Sequence, residues 1–191
     1  QTVIDGGDGV DTIQFDTPRL KSTFAISHDA EGWNLSDVSK QYDTIQAIHV
    51  ERFIFSDVGL ALDLQTSAGQ VAKTLGAVFG KSAATNKEYA GIGLYFVDAL
   101  SFNYESLMQL AINARLGANP TSAQVVDLLY TNVVGTAPDP AIRKSFTDLL
   151  DNHTFTVASL GVLAADTDLN KANINLTGLA QTGLEYLPFA G

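Results

Sequence analysis

Apolar and polar residues alternate through the first third of the chain, then recur at helical spacing, with the change near Thr66. Phe24 with Ile26, Trp33 with Leu35, Ile45 with Ile48 or Val50, Phe53 with Phe55, and Leu60, Leu62 and Leu64 each fit the period of a short strand. Asp29-Ala30-Glu31-Gly32, Ser36-Asp37 and Ser56-Asp57-Val58-Gly59 supply the turn chemistry between them. Beyond Thr66, Ser67-Ala68-Gly69-Gln70 has the form of a capping box. It leads into a stripe of Val71, Leu75, Val78 and Phe79 that stops at Gly80.

Further helical stripes follow. Tyr89, Ile92, Phe96 and Leu100 form a second, weakened by Gly91 and Gly93; Leu107, Leu110, Ala111 and Ala114 form a third, closed by Gly117. Thr121-Ser122-Ala123-Gln124 reads as another capping box, opening Val126, Leu129, Tyr130 and Val133 before Gly135. Asp139 and Pro140 read as an N-cap and first-turn proline ahead of Ile142, Phe146, Leu149 and Leu150. A sixth helix is expected through Val157, Leu160 and Ala164, and a weaker seventh from Leu169 to Leu179. Val71 to Gly80 and Val126 to Gly135 echo each other, as two helical hairpins packed face to face would, or as any two amphipathic helices ending in glycine do.

The expected fold class is α+β, with a short N-terminal β segment over residues 1–65 packed on a C-terminal helical bundle over 66–191. The two are expected to share a core, because some 65 residues of short strands bury little alone.

Gly6 to Gln14 matches the calcium nonapeptide G-G-x-G-x-D-x-U-x in full, with Ile13 at the large apolar position. Its glycines let the backbone turn until peptide carbonyls face one point, and Asp11 adds a carboxylate to that ring of hard oxygens. Gly6, Asp8, Gly9 and Asp11 are the candidate metal residues, and Thr12-Ile13-Gln14 is expected to extend as a strand. One such turn supplies about half of the 6–8 oxygens that calcium takes. Residues before Gly6, or a loop such as Asp29 to Glu31, would have to complete the shell. The alternative is an ordinary glycine-aspartate turn between strands. No complete second repeat is present: Thr2 stands where the preceding aspartate would be, and no glycine pair follows Phe15.

The 191 residues carry 21 acidic and 11 basic side chains, a formal charge of −10. That field disfavours nucleic acid and anionic membranes and makes divalent cations the natural counter-charge. The absence of cysteine removes disulfides, thiolate metal sites and cysteine nucleophiles. No apolar run approaches the roughly 20 residues of a membrane span, and the first residues lack a signal-peptide layout.

Catalytic patterns are few. His28, His49 and His153 fall in no zinc-binding spacing, and His49 is expected on a strand surface or as a satisfied core residue. Asp148 and Asp151 read as a solvated helix end. Asp166-Thr167-Asp168-Leu169-Asn170 begins like an EF-hand loop, but Lys171 and Thr177 stand where the required glycine and glutamate would be, so a helix cap is the expectation. Tyr95, Phe96, Phe102 and Tyr104 are expected to be core at helical spacing, with a sugar-stacking or partner-binding face as the alternative.

The N-terminal stretch resembles the last repeat of an RTX, or haemolysin-type, calcium-binding array. Tyr42 to Asp57, with its D-T-I start and Val50-Glu51-Arg52-Phe53-Ile54-Phe55 centre, resembles the strand pair that often follows such arrays. Gln70 to Pro188 is similar to an uncharacterised helical domain family at the C-termini of secreted RTX proteins, best matched at Leu128 to Pro140. Two positions depart from that family's pattern: Thr136 replaces an arginine and Arg143 a glycine. The resemblance implies a secreted or cell-surface location, calcium as ligand, and export by type I secretion machinery reading a C-terminal signal. From Ser145 to Gly191 the only Lys or Arg is Lys171, which suits such a tail and also suits an ordinary last helix and strand. The expectation is a non-catalytic calcium-binding module aiding export, calcium-dependent folding or surface assembly, with a protein or surface polysaccharide as a further partner class. The alternatives are an accessory domain of a secreted hydrolase or lyase with its catalytic part upstream, and a surface-layer or adhesin module.

Overall fold

The computed structural model describes residues 1–15 and 18–191. Strands β1 (Thr2–Asp5), β2 (Thr12–Gln14), β3 (Phe24–Asp29), β4 (Gly32–Asp37), β5 (Ile45–Ile48), β6 (Arg52–Ile54) and β7 (Gly59–Ala61) precede the helices. The helices are α1 (Ser67–Phe79), α2 (Lys87–Asp98), α3 (Tyr104–Leu116), α4 (Ser122–Val134), α5 (Pro140–Asp151), α6 (Val157–Ala165), α7 (Asp168–Asn173) and α8 (Leu176–Thr182). A last strand, β8 (Leu184–Tyr186), follows. The α+β class read from the sequence is the class observed.

The strands form two four-stranded sheets, ordered β1-β5-β4-β3 and β2-β6-β7-β8. Two connections run between the sheets as stacked rungs. β1 passes through Gly6–Asp11 into β2, β5 passes through His49–Glu51 into β6, and both strand pairs are parallel: Ile4 faces Ala47 and Ile13 faces Phe53. The remaining pairs are antiparallel. Leu35, Phe53 and Leu60, each 0% exposed, centre the apolar core of this β region, with Ile13 and Phe15 packed against it.

Packing continues from the sheets into the bundle. Ala61, Leu184 and Tyr186 of the second sheet share an apolar cluster with Leu64, Val71, Leu75 and Leu94, and a second cluster joins α1, α3, α4 and α6 around Met108, Ile112 and Val125. The segment after Thr66 therefore gives a strand to the sheet begun before it.

Cap chemistry decides several boundaries. Thr121 and Gln124 form the expected capping box, and the Asp139 carboxylate accepts from the Ala141 and Ile142 amides ahead of α5. At α1 the expected box is absent, because the Ser67 hydroxyl donates to Asp63 Oδ2 at 2.6 Å and Ala68 N donates to the same oxygen at 3.3 Å. The α1 C-terminus is closed from another helix, with Asn132 Nδ2 donating to the carbonyls of Ala77 and Val78. The expected Leu169–Leu179 helix divides into α7 and α8 at Asn175, whose φ of 52° breaks the right-handed run.

Candidate metal centre

The Gly6–Asp11 turn sits directly on the second rung. Gly6 N donates to Ile48 O at 2.9 Å, and Asp11 O accepts from the amides of Glu51 and Arg52 at 3.1 and 3.0 Å. The Asp11 amide in turn donates to Glu51 Oε2 at 2.9 Å. Position 6 admits only glycine: a Cβ there would lie 2.1 Å from the His49 carbonyl oxygen and 2.6 Å from Asp11 Cβ. Gly7 and Gly9 take φ of 88° and 117°, as the nonapeptide turn requires.

This close approach tucks the Asp11 side chain between the turn and the facing rung, where its Oδ2 is buried and has no hydrogen-bond partner. A buried carboxylate oxygen without a donor is costly, so an oxygen in that position is one that a hydrogen-bond donor or a cation would satisfy. Asp8 is exposed at the turn tip. Among the described residues, no three His, Asp or Glu side chains gather in a group fit to hold a metal ion. An ion here would therefore be held by Asp11 together with backbone oxygens of the turn, with Glu51 the nearest carboxylate of the facing rung through its bond to the Asp11 amide. The hairpin turn Asp29–Glu31 lies beside the rung that faces the Gly6–Asp11 turn. It shares an open hollow with His49 and Glu51.

Beside the turn, the Asp5 carboxylate bonds His49 Nδ1 at 2.9 Å and also accepts from Gly7 N. The hydrogen bond to His49 holds the Asp5 carboxyl below its usual range and raises the imidazole. His49 therefore stands in the turn after β5, exposed and with φ of 50°, as an ion-pair partner of Asp5.

A buried charge node lies one residue along from the rung contact. Arg52, 2% exposed, bonds Asp98 through Nε and Nη2 at 3.0 and 3.1 Å, the Glu51 carbonyl at 2.9 Å and Ser67 Oγ at 3.1 Å, and pairs with Asp63. Burial works against the Asp63 carboxylate, but Arg52 and the hydroxyls of Ser67 and Thr66 outweigh it and lower its pKa. Sequence reasoning did not find this node. Its signal was Arg52 itself, a charge set between apolar strand residues in Val50-Glu51-Arg52-Phe53.

The other candidates disperse. Asp148 pairs with Lys144 across one helical turn, while Asp151 bonds Ser122. Asp166 leaves the EF-hand-like run to pair with Lys73 at 2.5 Å and accept from the Tyr104 hydroxyl at 3.3 Å, and Thr167 caps α7. Phe96 packs on Tyr95 and Phe102, and Phe189 of the C-terminal tail packs edge-on to Tyr95. No helix among the described residues is long and apolar enough to cross a membrane.

Comparison with protein-family models, curated proteins and solved structures gives no match to this chain.

Proposed function

We propose that this chain is a non-catalytic calcium-binding module of an extracellular, type I-secreted bacterial protein, with the ion taken at the Gly6–Asp11 turn. The observation that carries the reading is Asp11: a full nonapeptide match places its carboxylate in a turn stacked on a parallel rung, and its Oδ2 is buried without a partner. The formal charge of −10 favours a divalent cation. A single side-chain carboxylate with backbone oxygens is a weak donor set, suited to the dissociation constants of about 10⁻⁴–10⁻³ M of extracellular sites. Binding would stabilise the folded state by mass action.

The tail expected to carry the export address includes β8, whose Leu184 and Tyr186 are 1% and 7% exposed. Such an address would be legible to an exporter only before the second sheet closes.

Isothermal titration and thermal melts with calcium at millimolar concentration test the metal reading. Calcium raises Tm in a saturable way, magnesium does so far less, and Asp11→Asn removes most of the calcium effect while Asp168→Asn leaves it. Absence of heat and of a Tm shift at millimolar calcium overturns the reading.

A further inference from the structure

An open hollow of about 380 Å³ lies at the end of the β region where the Asp29–Glu31 hairpin, the His49–Glu51 rung and Leu62 meet, within the size range of small-ligand sites. Its apolar surface comes from Trp33, Val50 and Leu62. Trp33 is 8% exposed, and among the described residues its indole N–H has no acceptor. That nitrogen is not sealed in the core, so the donor is open at the hollow that Trp33 lines. Two carboxylates there have an oxygen to spare: Glu31 uses Oε2 on Gln46 and Glu51 uses Oε2 on the Asp11 amide, each at 2.9 Å. Asp29 and Asp63 line the hollow too, but the hairpin amides with Asn34 and the Arg52 node occupy them. No lysine or arginine lines it, and His49 is held by Asp5.

We propose that this hollow binds a neutral sugar ring, with a C–H face of the ring on Trp33, Val50 and Leu62, a hydroxyl oxygen accepting from the Trp33 indole, and hydroxyl protons donated to Glu31 and Glu51. The unmade bonds choose the class. One free donor stands beside free acceptors around an apolar floor, and a polyol with a hydrocarbon face answers all three. An organic ammonium satisfies the carboxylates but leaves the indole N–H without an acceptor. A sugar acid brings a negative charge against two carboxylates with no free cation to meet it. The inference does not rest on the calcium reading.

Trp33 is the single tryptophan of the chain, so its indole N–H gives one NMR resonance that reads the site alone. The full chain is titrated with the methyl glycosides of glucose, galactose and mannose, and with methyl glucuronide and cyclohexylammonium as charged rings of similar size. A chelator in every sample keeps calcium out of the readout. At least one neutral glycoside gives a saturable indole shift at millimolar concentration, and the two charged rings bind more weakly or not at all. Glu31→Gln, at the exposed hairpin tip, weakens that glycoside about threefold or more, and Trp33→Phe, followed by calorimetry, weakens it about three- to tenfold, the loss of one hydrogen bond. The proposal is overturned by the absence of a saturable shift with all three glycosides, or by either charged ring matching the best of them. It is equally overturned if both variants keep the affinity of the unaltered chain.

Discussion

Replacing Arg52 by alanine strips the central cation from a buried node and is the most informative single change in the fold. The side chains of Arg52 and Asp63 are 3% and 9% exposed, whereas Asp98 at 27% can turn to water when its partner is lost. Asp63 cannot. Removing one member of a buried pair costs about 3–5 kcal/mol, mostly because the remaining charge is stranded. Here the stranded carboxylate keeps the Thr66 and Ser67 hydroxyls and the Ala68 amide, which places the expected loss near 3 kcal/mol. Urea unfolding at neutral pH measures it. The pH dependence supplies a second reading with a fixed sign. Asp63 has a lowered pKa in the folded protein, so its contribution is present above the unfolded value near pH 4 and is lost as pH falls through the lowered folded value. In Arg52→Ala the stranded carboxylate has lost the cation that lowers its pKa, so the stability gap between the two proteins should shrink as pH falls from the variant's higher Asp63 value through the lowered value of the intact protein. Adding Asp63→Asn to the Arg52→Ala variant should recover part of the loss. A gap under about 1 kcal/mol at neutral pH, or one that does not shrink on acidification, refutes the assignment of stored charge energy to this node.

The tail and the Tyr104 cluster give two further tests. Gly91→Val should release the C-terminal tail, because even a Cβ at Gly91 would lie 1.8 Å from the Leu187 carbonyl oxygen; limited proteolysis would then cut near Leu187, and a tail that stays protected contradicts the docking. The Tyr104 phenol is pushed far above its ordinary value, chiefly by burial and then by Asp166, so the fold should lose stability as pH rises above about 10. Tyr104→Phe should remove that part of the alkaline loss, and an unchanged alkaline profile counts against it.

Legibility in the sequence followed how local each cause was. The alternation ending near Thr66, the Thr121 box and the Asp139-Pro140 start depend on residues within one turn of each other, and the structure forms the corresponding elements. The failed box at Ser67 shows the limit. The same S-x-x-Q spelling lost its serine to Asp63, a competing acceptor four residues upstream that the box pattern does not weigh. Asn132 reads as an ordinary polar position in α4, yet it closes α1 from about 55 residues away in sequence. The nonapeptide fixed which residues make the turn but not what faces it. The facing rung is His49–Glu51, which has no glycine repeat and is recognisable only through the parallel pairing of β1 with β5 and β2 with β6.

Strand order links the turn to the far end of the chain. The strand that leaves the Gly6–Asp11 turn is one edge of the second sheet, and β8, close to the end of the chain, is the other. Between them lie β6 and β7. β6 begins at Arg52, whose amide bonds the Asp11 carbonyl while its guanidinium is tied to Asp63 before α1 and Asp98 at the end of α2. Removing the order of the turn therefore takes away a neighbour of β6, and loosening β6 exposes a guanidinium that the bundle holds buried. The charge node makes the β region and the helical bundle costly to separate, and the Arg52 amide places the turn one backbone hydrogen bond from their junction.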